Sequence, residues 1–357
     1  MSEQLKIKSV FRDYTVDFTD DYFGTLKREL REGDFFVIDQ AIAELHPALV
    51  ELAGENYWTV AQGESSKSYH GVIPLFERLI EGGFRKNHRL IAVGGGITQD
   101  VAAFIASLLY RGVEWLFFPT NVLTQCDSCI GSKTSINFKE YKNQLGGFYP
   151  PSAVYIDTSF VTTLGEREIA SGLGEMLHYF LVSSEADLDL FWEHAPKLRK
   201  GKGTLAPLMH RSLAIKKAMI EIDEFDQGPR NVFNYGHSFG HALESATDYA
   251  IPHGTAVSYG IDLANLVSVH LGLLPMAERN RIRPACEVVF KGAPLPEVDI
   301  ERYFSALSKD KKNEGSQLGL ILTRGAGDMF KQLCDFDDGI KQVIETYFTK
   351  ELYLSDQ

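Results

Sequence analysis

Apolar residues follow two different rhythms along the chain. Up to about residue 160, short apolar runs at Phe35–Asp39, Tyr57–Val60, Leu90–Val93, Trp115–Phe118 and Ala153–Asp157 read as strands. Between them, Tyr69–Ile80 and Ile97–Leu109 carry apolar residues at helical spacing and are long enough for crossover connections. Alternation of this kind predicts a doubly wound, largely parallel sheet. Beyond Asp157 the helical period takes over in Glu166–Leu181, Leu205–Ile222, Ser238–Thr247 and Ala256–Leu271, with few strand-like runs. The pattern predicts an α/β domain over residues 1–157 and a helical domain over 158–357. The cleft between two such domains is the expected site, and Lys197–Gly203 reads as a short flexible loop.

The 357 residues, 44% hydrophobic and 24% charged, have ordinary globular composition, which excludes disorder, collagen and coiled coil for the whole chain. The longest largely apolar stretch, Val101–Tyr110, is about half of what a membrane span needs, and no basic segment followed by an apolar run opens the sequence. A soluble cytoplasmic protein is expected. The net charge of −12 disfavours nucleic acid and anionic membranes as partners. Cations that bind an anionic substrate must therefore be locally concentrated.

Four cysteines, Cys126, Cys129, Cys286 and Cys334, are too few for a disulfide scaffold, and reduced thiols are expected. Cys126 and Cys129 have redox-motif spacing, but without a second pair they read as small residues near a helix start. Gly94-Gly95-Gly96 follows an apolar strand and opens a helix, a context that lets a pyrophosphate approach the backbone, although the spacing is not GxGxxG. Asp39 at the end of an early strand suits a ribose diol, and Gly63-Glu64-Ser65-Ser66-Lys67 offers a polar turn before a helix. His237 and His241 stand at i and i+4 on one helical face, with His253 and Glu175 as further ligand candidates. Ser238 replaces the glutamate of HExxH, so this is no zincin motif. Arg111, Lys133, Lys142-Asn143, Lys216-Lys217, Arg230 and Lys311-Lys312, many of them beside glycines or turn residues, are candidates for the anion cradle. Spacing leaves nucleotide, metal and anion sites each open and the reaction unspecified.

Taken together, three blocks resemble the sugar phosphate cyclase superfamily, of which 3-dehydroquinate synthase is the best-known member. The first runs from Gly94-Gly-Gly-Ile-Thr-Gln-Asp100 through Tyr110-Arg-Gly-Val to Pro119-Thr-Asn121. The second joins Asp127-Ser-Cys-Ile-Gly-Ser-Lys133 to Lys142-Asn-Gln-Leu-Gly-Gly. The third links Asp223–Arg230 to Asn234-Tyr-Gly-His237-Ser-Phe-Gly-His241 and His253-Gly254. The resemblance covers residues from about Asp39 to Gly327.

It implies a Rossmann-like NAD-binding domain followed by a helical metal-binding domain, usually in a homodimer. It implies NAD contacts from Asp39, Glu64, Lys67, Gly95, Gly96, Asp100, Thr120, Asn121, Lys142 and Thr163, and ligation of Zn2+ or Co2+ by Glu175, His237 and His253. Substrate roles fall on Asp127, Lys133, Asn143, His178, Lys216, Arg230, Asn234, His241 and Lys312, with Arg111 reaching the phosphate in a neighbouring subunit. The implied enzyme is a carbon-oxygen lyase acting on a phosphorylated sugar by transient oxidation, phosphate elimination, reduction and intramolecular aldol closure.

The chain also departs from the pattern. His178 stands where 3-dehydroquinate synthases carry lysine, Asn121 and Ser132 replace threonine and glycine, and Phe233 replaces a common leucine. At i,i+3 from Glu175, His178 should face the same site. Retention of Arg230, Asn234 and His241 favours the 3-dehydroquinate synthase reaction or a close variant. The alternatives are a cyclase of secondary metabolism acting on sedoheptulose 7-phosphate or another sugar phosphate, and a metal-dependent polyol dehydrogenase.

Overall fold

The computed structural model describes residues 4–139, 141–198, 203–310 and 312–352, which form two compact units, Met1–Leu164 and Gly165–Gln357. Arg199 to Lys202 of the expected loop, and Lys311, lie outside the described residues.

The N-terminal unit runs β1 (Gln4–Ile7), β2 (Tyr14–Thr19), α1 (Tyr22–Glu29), β3 (Phe35–Asp39), α2 (Gln40–Leu45), α3 (Pro47–Ala53), β4 (Tyr57–Val60), α4 (Tyr69–Glu81), β5 (Arg89–Gly94), α5 (Gly96–Leu108), β6 (Glu114–Pro119), β7 (Lys133–Phe138), β8 (Tyr141–Phe148) and β9 (Ala153–Asp157). Seven strands form one sheet in the order β1-β2-β9-β6-β5-β3-β4. All neighbours are parallel except β1 and β2, which pair antiparallel. The central strands are buried on both faces. Phe36, Ile38, Ile91, Val93, Leu116 and Phe118 join one core with Leu26 and Leu49, while Val37, Leu90, Ala92, Trp115 and Phe117 are buried on the opposite face. This two-sided burial is why the strands read as continuous apolar runs.

Strand β3 has β4 on one side and β5 on the other, so successive crossovers leave it in opposite directions. The carboxyl ends of β3 and β5 diverge there, which is where open α/β sheets bind ligands. Asp39 and Gly94–Gly96 occupy those two ends. The unit extends to Leu164 because a 3-10 turn, Thr158–Thr163, returns Phe160 into the core beside Phe36 and Leu116. A separate antiparallel hairpin, β7–β8, was not apparent from the sequence.

The C-terminal unit contains α6 (Glu166–Ser183), α7 (Glu185–Leu198), α8 (Ala206–Ile220), α9 (His237–Ala246), α10 (His253–His270), α11 (Met276–Phe290), α12 (Ile300–Ser308), β10 (Gln317–Gly325), β11 (Asp328–Asp335) and α13 (Asp338–Thr349). The unit is largely helical, as expected, and its one hairpin among the described residues, β10–β11, was not anticipated: Leu318 to Thr323 is one buried run, which periodicity does not distinguish from a helical segment. At the centre lies α10, buried almost all round and packed against α6, α9 and α11. Its approach to its neighbours depends on glycine. A Cβ on Gly254 would overlap the Ser171 carbonyl of α6, and one on Gly260 would overlap the Gly236 carbonyl at the start of α9. These crossings bring the first residues of α9 and α10 beside the middle of α6.

Candidate active site

In the N-terminal unit Asp39, Gly95, Gly96, Thr120 and Asn121 lie at the carboxyl ends of β3, β5 and β6. Gly95 caps α5 without a side chain, and a Cβ on Gly96 would point into open space. A helix start left bare of side chains suits a diphosphate through its backbone N–H groups and its dipole. Thr120, at the end of β6, donates its N–H to Gly94 O at 3.1 Å. Asn121 accepts the Thr124 N–H at 2.9 Å, so it caps the turn carrying Asp127, and its amide borders Gly95. Asp39 caps α2 through the Ala41 N–H, and burial raises its carboxyl above the usual range. Beside it, Gln40, Ala41, Glu44, Ala61 and Gln62 line a depression of ≈ 280 Å³.

The hairpin β7–β8 assembles a second group. Buried Lys67 pairs with Asp100 at 2.5 Å, yet burial still raises the Asp100 carboxyl. Asn137, which the sequence reading did not single out, connects three predicted residues. Its side chain donates to Glu64 at 2.7 Å and accepts the Asn143 N–H at 3.0 Å, and its backbone N–H donates to Lys67 O at 2.8 Å. Lys142 lies 3.7 Å from Glu64. Asn143 adopts φ 55°, a left-handed conformation that asparagine tolerates better than most residues. Gln99 on α5 binds Ser128 and so fixes the turn that holds Asp127. Lys133 opens β7 on the surface, and Thr163 binds Phe160 O from the exposed end of the 3-10 turn. Arg111 is exposed on a turn where Tyr110, Arg111 and Gly112 all have positive φ, clamped by Lys86 on the carbonyls of Tyr110 and Gly112.

In the C-terminal unit Glu175 sits in the middle of α6, 2% exposed, with His237 and His253 heading α9 and α10. Glu175 Oε1 lies 3.2 Å from His253 Nε2 and 3.9 Å from His237 Nε2, and the three ligand atoms lie within 4.8 Å of one another. Donors about 2.0–2.1 Å from a tetrahedral ion stand roughly 3.3 Å apart, so the spacing fits a divalent ion after small adjustment. Among the described residues, Oε1 accepts no well-aligned hydrogen bond despite its burial, as a ligand oxygen should.

The electrostatics prepare two of the three donors, Glu175 and His237, whereas His253 must release a proton to become a ligand. Burial alone would raise the Glu175 carboxyl, but His178 and His253 hold it well below the usual range, so it is ionised. Burial keeps His237 well below the imidazole range and therefore neutral. For His253, the carboxylates of Glu175 and Glu244 outweigh burial and push it well above that range. Glu244, also missed from the sequence, lies 3.2 Å from His253 Nδ1, the contact that turns Nε2 toward Glu175. His237 Nδ1 lies 3.3 Å from Tyr235 O with the same effect.

His241, one helical turn after His237, does not join Glu175. It stacks on His253 at 5.5 Å and with Glu244 and His253 forms a second, more exposed donor group. The protein packed around it, together with His253, pushes it down to about 4. Lys312 pairs with Asp310 at 3.0 Å, and both act on His241. Lys216 is buried on α8, whereas Lys217 pairs with Glu221 along the helix surface. Arg230 is buried and donates to Glu224 O at 2.8 Å, while Asn234 closes the same turn on Asn231 O. His178 is 1% exposed beside Glu175.

Comparison with known proteins agrees with this architecture. Residues 57–171 match the family model described as 3-dehydroquinate synthase N-terminal, and residues 172–313 match 3-dehydroquinate synthase C-terminal. A 3-dehydroquinate synthase of Streptococcus equi subsp. equi is 33% identical over 92% of this chain and 93% of its own. Among solved structures, 2-deoxy-scyllo-inosose synthase complexed with carbaglucose-6-phosphate, NAD+ and Co2+ has a TM-score of 0.84 at 22% identity, over 97% of this chain and 99% of that one. A 2-epi-5-epi-valiolone synthase from Streptomyces hygroscopicus with NAD+ and Zn2+ bound has a TM-score of 0.81 at 26% identity, over 96% and 97%. The two matched models together span most of the sequence, in the order in which the two units occur, and the chain belongs to the 3-dehydroquinate synthase family.

Proposed function

We propose that this chain is an NAD- and divalent-metal-dependent sugar phosphate cyclase that converts 3-deoxy-arabino-heptulosonate 7-phosphate to 3-dehydroquinate with loss of phosphate. The observation that carries the proposal is the buried Glu175 carboxylate facing two imidazoles whose Nδ1 atoms are already engaged. When bound, NAD supplies reversible oxidation of a ring carbinol, and the divalent ion polarises oxygen at that carbon. Glu175, His237 and His253 hold the ion. Gly95 and Gly96 receive the diphosphate of NAD; Asp39, Glu64, Lys67, Asp100, Thr120, Asn121, Lys142 and Thr163 complete its contacts.

Each remaining residue has chemistry suited to its assigned part. Buried Arg230 and Lys216 suit a carboxylate, because cations already desolvated bind an anion more strongly than surface ones. His241, kept neutral, can take a proton from a hydroxyl, and Lys312 and Asn234 orient that hydroxyl. Lys133, Asn143 and Asp127 contact phosphate and ring hydroxyls. The protein acts as a homodimer in which Arg111 serves the neighbouring subunit. Two non-glycine residues held at positive φ cost about 1–2 kcal/mol each, a strain that points to a use for the Arg111 side chain. Work in the cytoplasm accords with four buried cysteines outside any disulfide.

A second reading, a cyclase for another sugar phosphate, is favoured by one observation: His178 occupies the place of a lysine beside the metal carboxylate. Purified protein loaded with Zn2+ or Co2+ and supplied with NAD should release phosphate from 3-deoxy-arabino-heptulosonate 7-phosphate. Release only from sedoheptulose 7-phosphate or glucose 6-phosphate would establish the second reading instead. Sedimentation should give a dimer, and Arg111→Ala should lower phosphate release without dissociating it.

A further inference from the structure

The side chain of His178 does not extend away from its helix. Its Nδ1 turns back to lie 3.2 Å from the Glu175 carbonyl oxygen and 3.5 Å from Glu175 Oε2. Both neighbours are acceptors only, so Nδ1 carries the proton and acts as the donor. The ring is wedged in that orientation by Phe233, edge-on at 5.6 Å, and by Tyr179 at 4.2 Å. Phe233 and His178, both departures from the family pattern, thus pack on one another. The two oxygens of Glu175 have different surroundings as a result. Oε2 faces the His178 donor, whereas Oε1 faces His237 Nε2 and His253 Nε2.

We propose that His178 is a positioning residue for the metal carboxylate: its Nδ1–H holds Oε2 and leaves Oε1 as the one oxygen offered to the ion. This inference rests on the metal reading above and is independent of which sugar phosphate is the substrate. A carboxylate free to rotate can present either oxygen or both, and an ion with three protein ligands loses affinity when one of them is unsettled. His178 Nε2 has no hydrogen-bond partner among the described residues, so a competing assignment would direct that atom to substrate.

The two assignments separate by amide replacement. The amide nitrogen of asparagine can take the place of Nδ1, and that of glutamine the place of Nε2. Apoproteins of the parent, His178→Asn and His178→Gln are compared by thermal melting, by Zn2+ competition against a chromophoric chelator, and by the visible absorption of bound Co2+. With melting unchanged, His178→Gln should bind Zn2+ about 10–100-fold more weakly and alter the Co2+ spectrum, while His178→Asn should stay near the parent in both. Parent-like metal binding by His178→Gln overturns the inference and leaves Nε2 to substrate. Equal loss in both variants also overturns it and reduces His178 to packing. A parent protein that binds neither ion overturns the metal reading itself.

Discussion

Gly174 and Gly254 meet where α6 crosses α10: a Cβ on Gly174 would overlap the Gly254 carbonyl, and the Gly254 N–H donates to Ser171 Oγ at 3.0 Å. Each glycine adjoins a metal candidate, Glu175 on one helix and His253 on the other. The close crossing therefore sets the 3.2 Å separation of Glu175 Oε1 and His253 Nε2. Gly254→Ala must separate the helices or bend one of them. We expect a loss of about 1–3 kcal/mol in stability, seen in urea unfolding of the apoprotein, together with weakened Zn2+ binding. Parent-like Zn2+ affinity in a destabilised variant would show that the crossing does not set the ligand spacing.

Gly96 tests the nucleotide end independently. Its absent Cβ would meet nothing within 4 Å, so Gly96→Ala should not strain the fold, and alanine in the first turn of α5 favours the helix. The added methyl nonetheless occupies the space assigned to the diphosphate. NAD affinity, measured by fluorescence titration, should fall at least about tenfold, or about 1.4 kcal/mol, with the melting temperature of the apoprotein unchanged or raised. Unaltered NAD binding would remove Gly96 from the site.

Acid should weaken the C-terminal unit through Asp187. Burial would raise its carboxyl, but the guanidinium of Arg211, at 2.5 and 2.9 Å, and the hydroxyls of Ser183 and Ser184 outweigh burial and lower it. A lowered folded-state pKa stabilises the protein at pH values above the unfolded carboxylate pKa of about 3.9, and that contribution is lost as pH falls through the folded value. Asp187→Asn should be less stable than the parent at pH 7, and the gap should narrow by pH 3. A gap independent of pH would assign the effect to packing instead.

Much of the fold was legible because its central strands are buried on both faces. Phe35–Asp39 and Ala153–Asp157 read as strands because apolar runs between turn residues have few other uses at that length. Hairpin β7–β8 was hidden because β8 is largely exposed and lacks a clear alternation, and β10 because its run is apolar throughout. The metal set could not be read from spacing alone. Spacing singled out His237 and His241, but the imidazole that joins Glu175 together with His237 is His253, placed there by a crossing of separate helices. Glu244 had a signal that went unused: it follows His241 by three residues and His237 by seven, on the same face of α9. Asn137 had none, because its partners are defined by the hairpin.

In the proposed reaction oxidation is temporary and phosphate loss permanent. Protein loaded with Zn2+ or Co2+ is given 3-deoxy-arabino-heptulosonate 7-phosphate and NAD at well below one equivalent of substrate, while phosphate and the absorbance of NADH are followed together. Phosphate release should exceed the NAD supplied many times over, with no net NADH and with 3-dehydroquinate as the product in the NMR spectrum. NADH accumulating without phosphate would contradict this reaction and identify a polyol dehydrogenase.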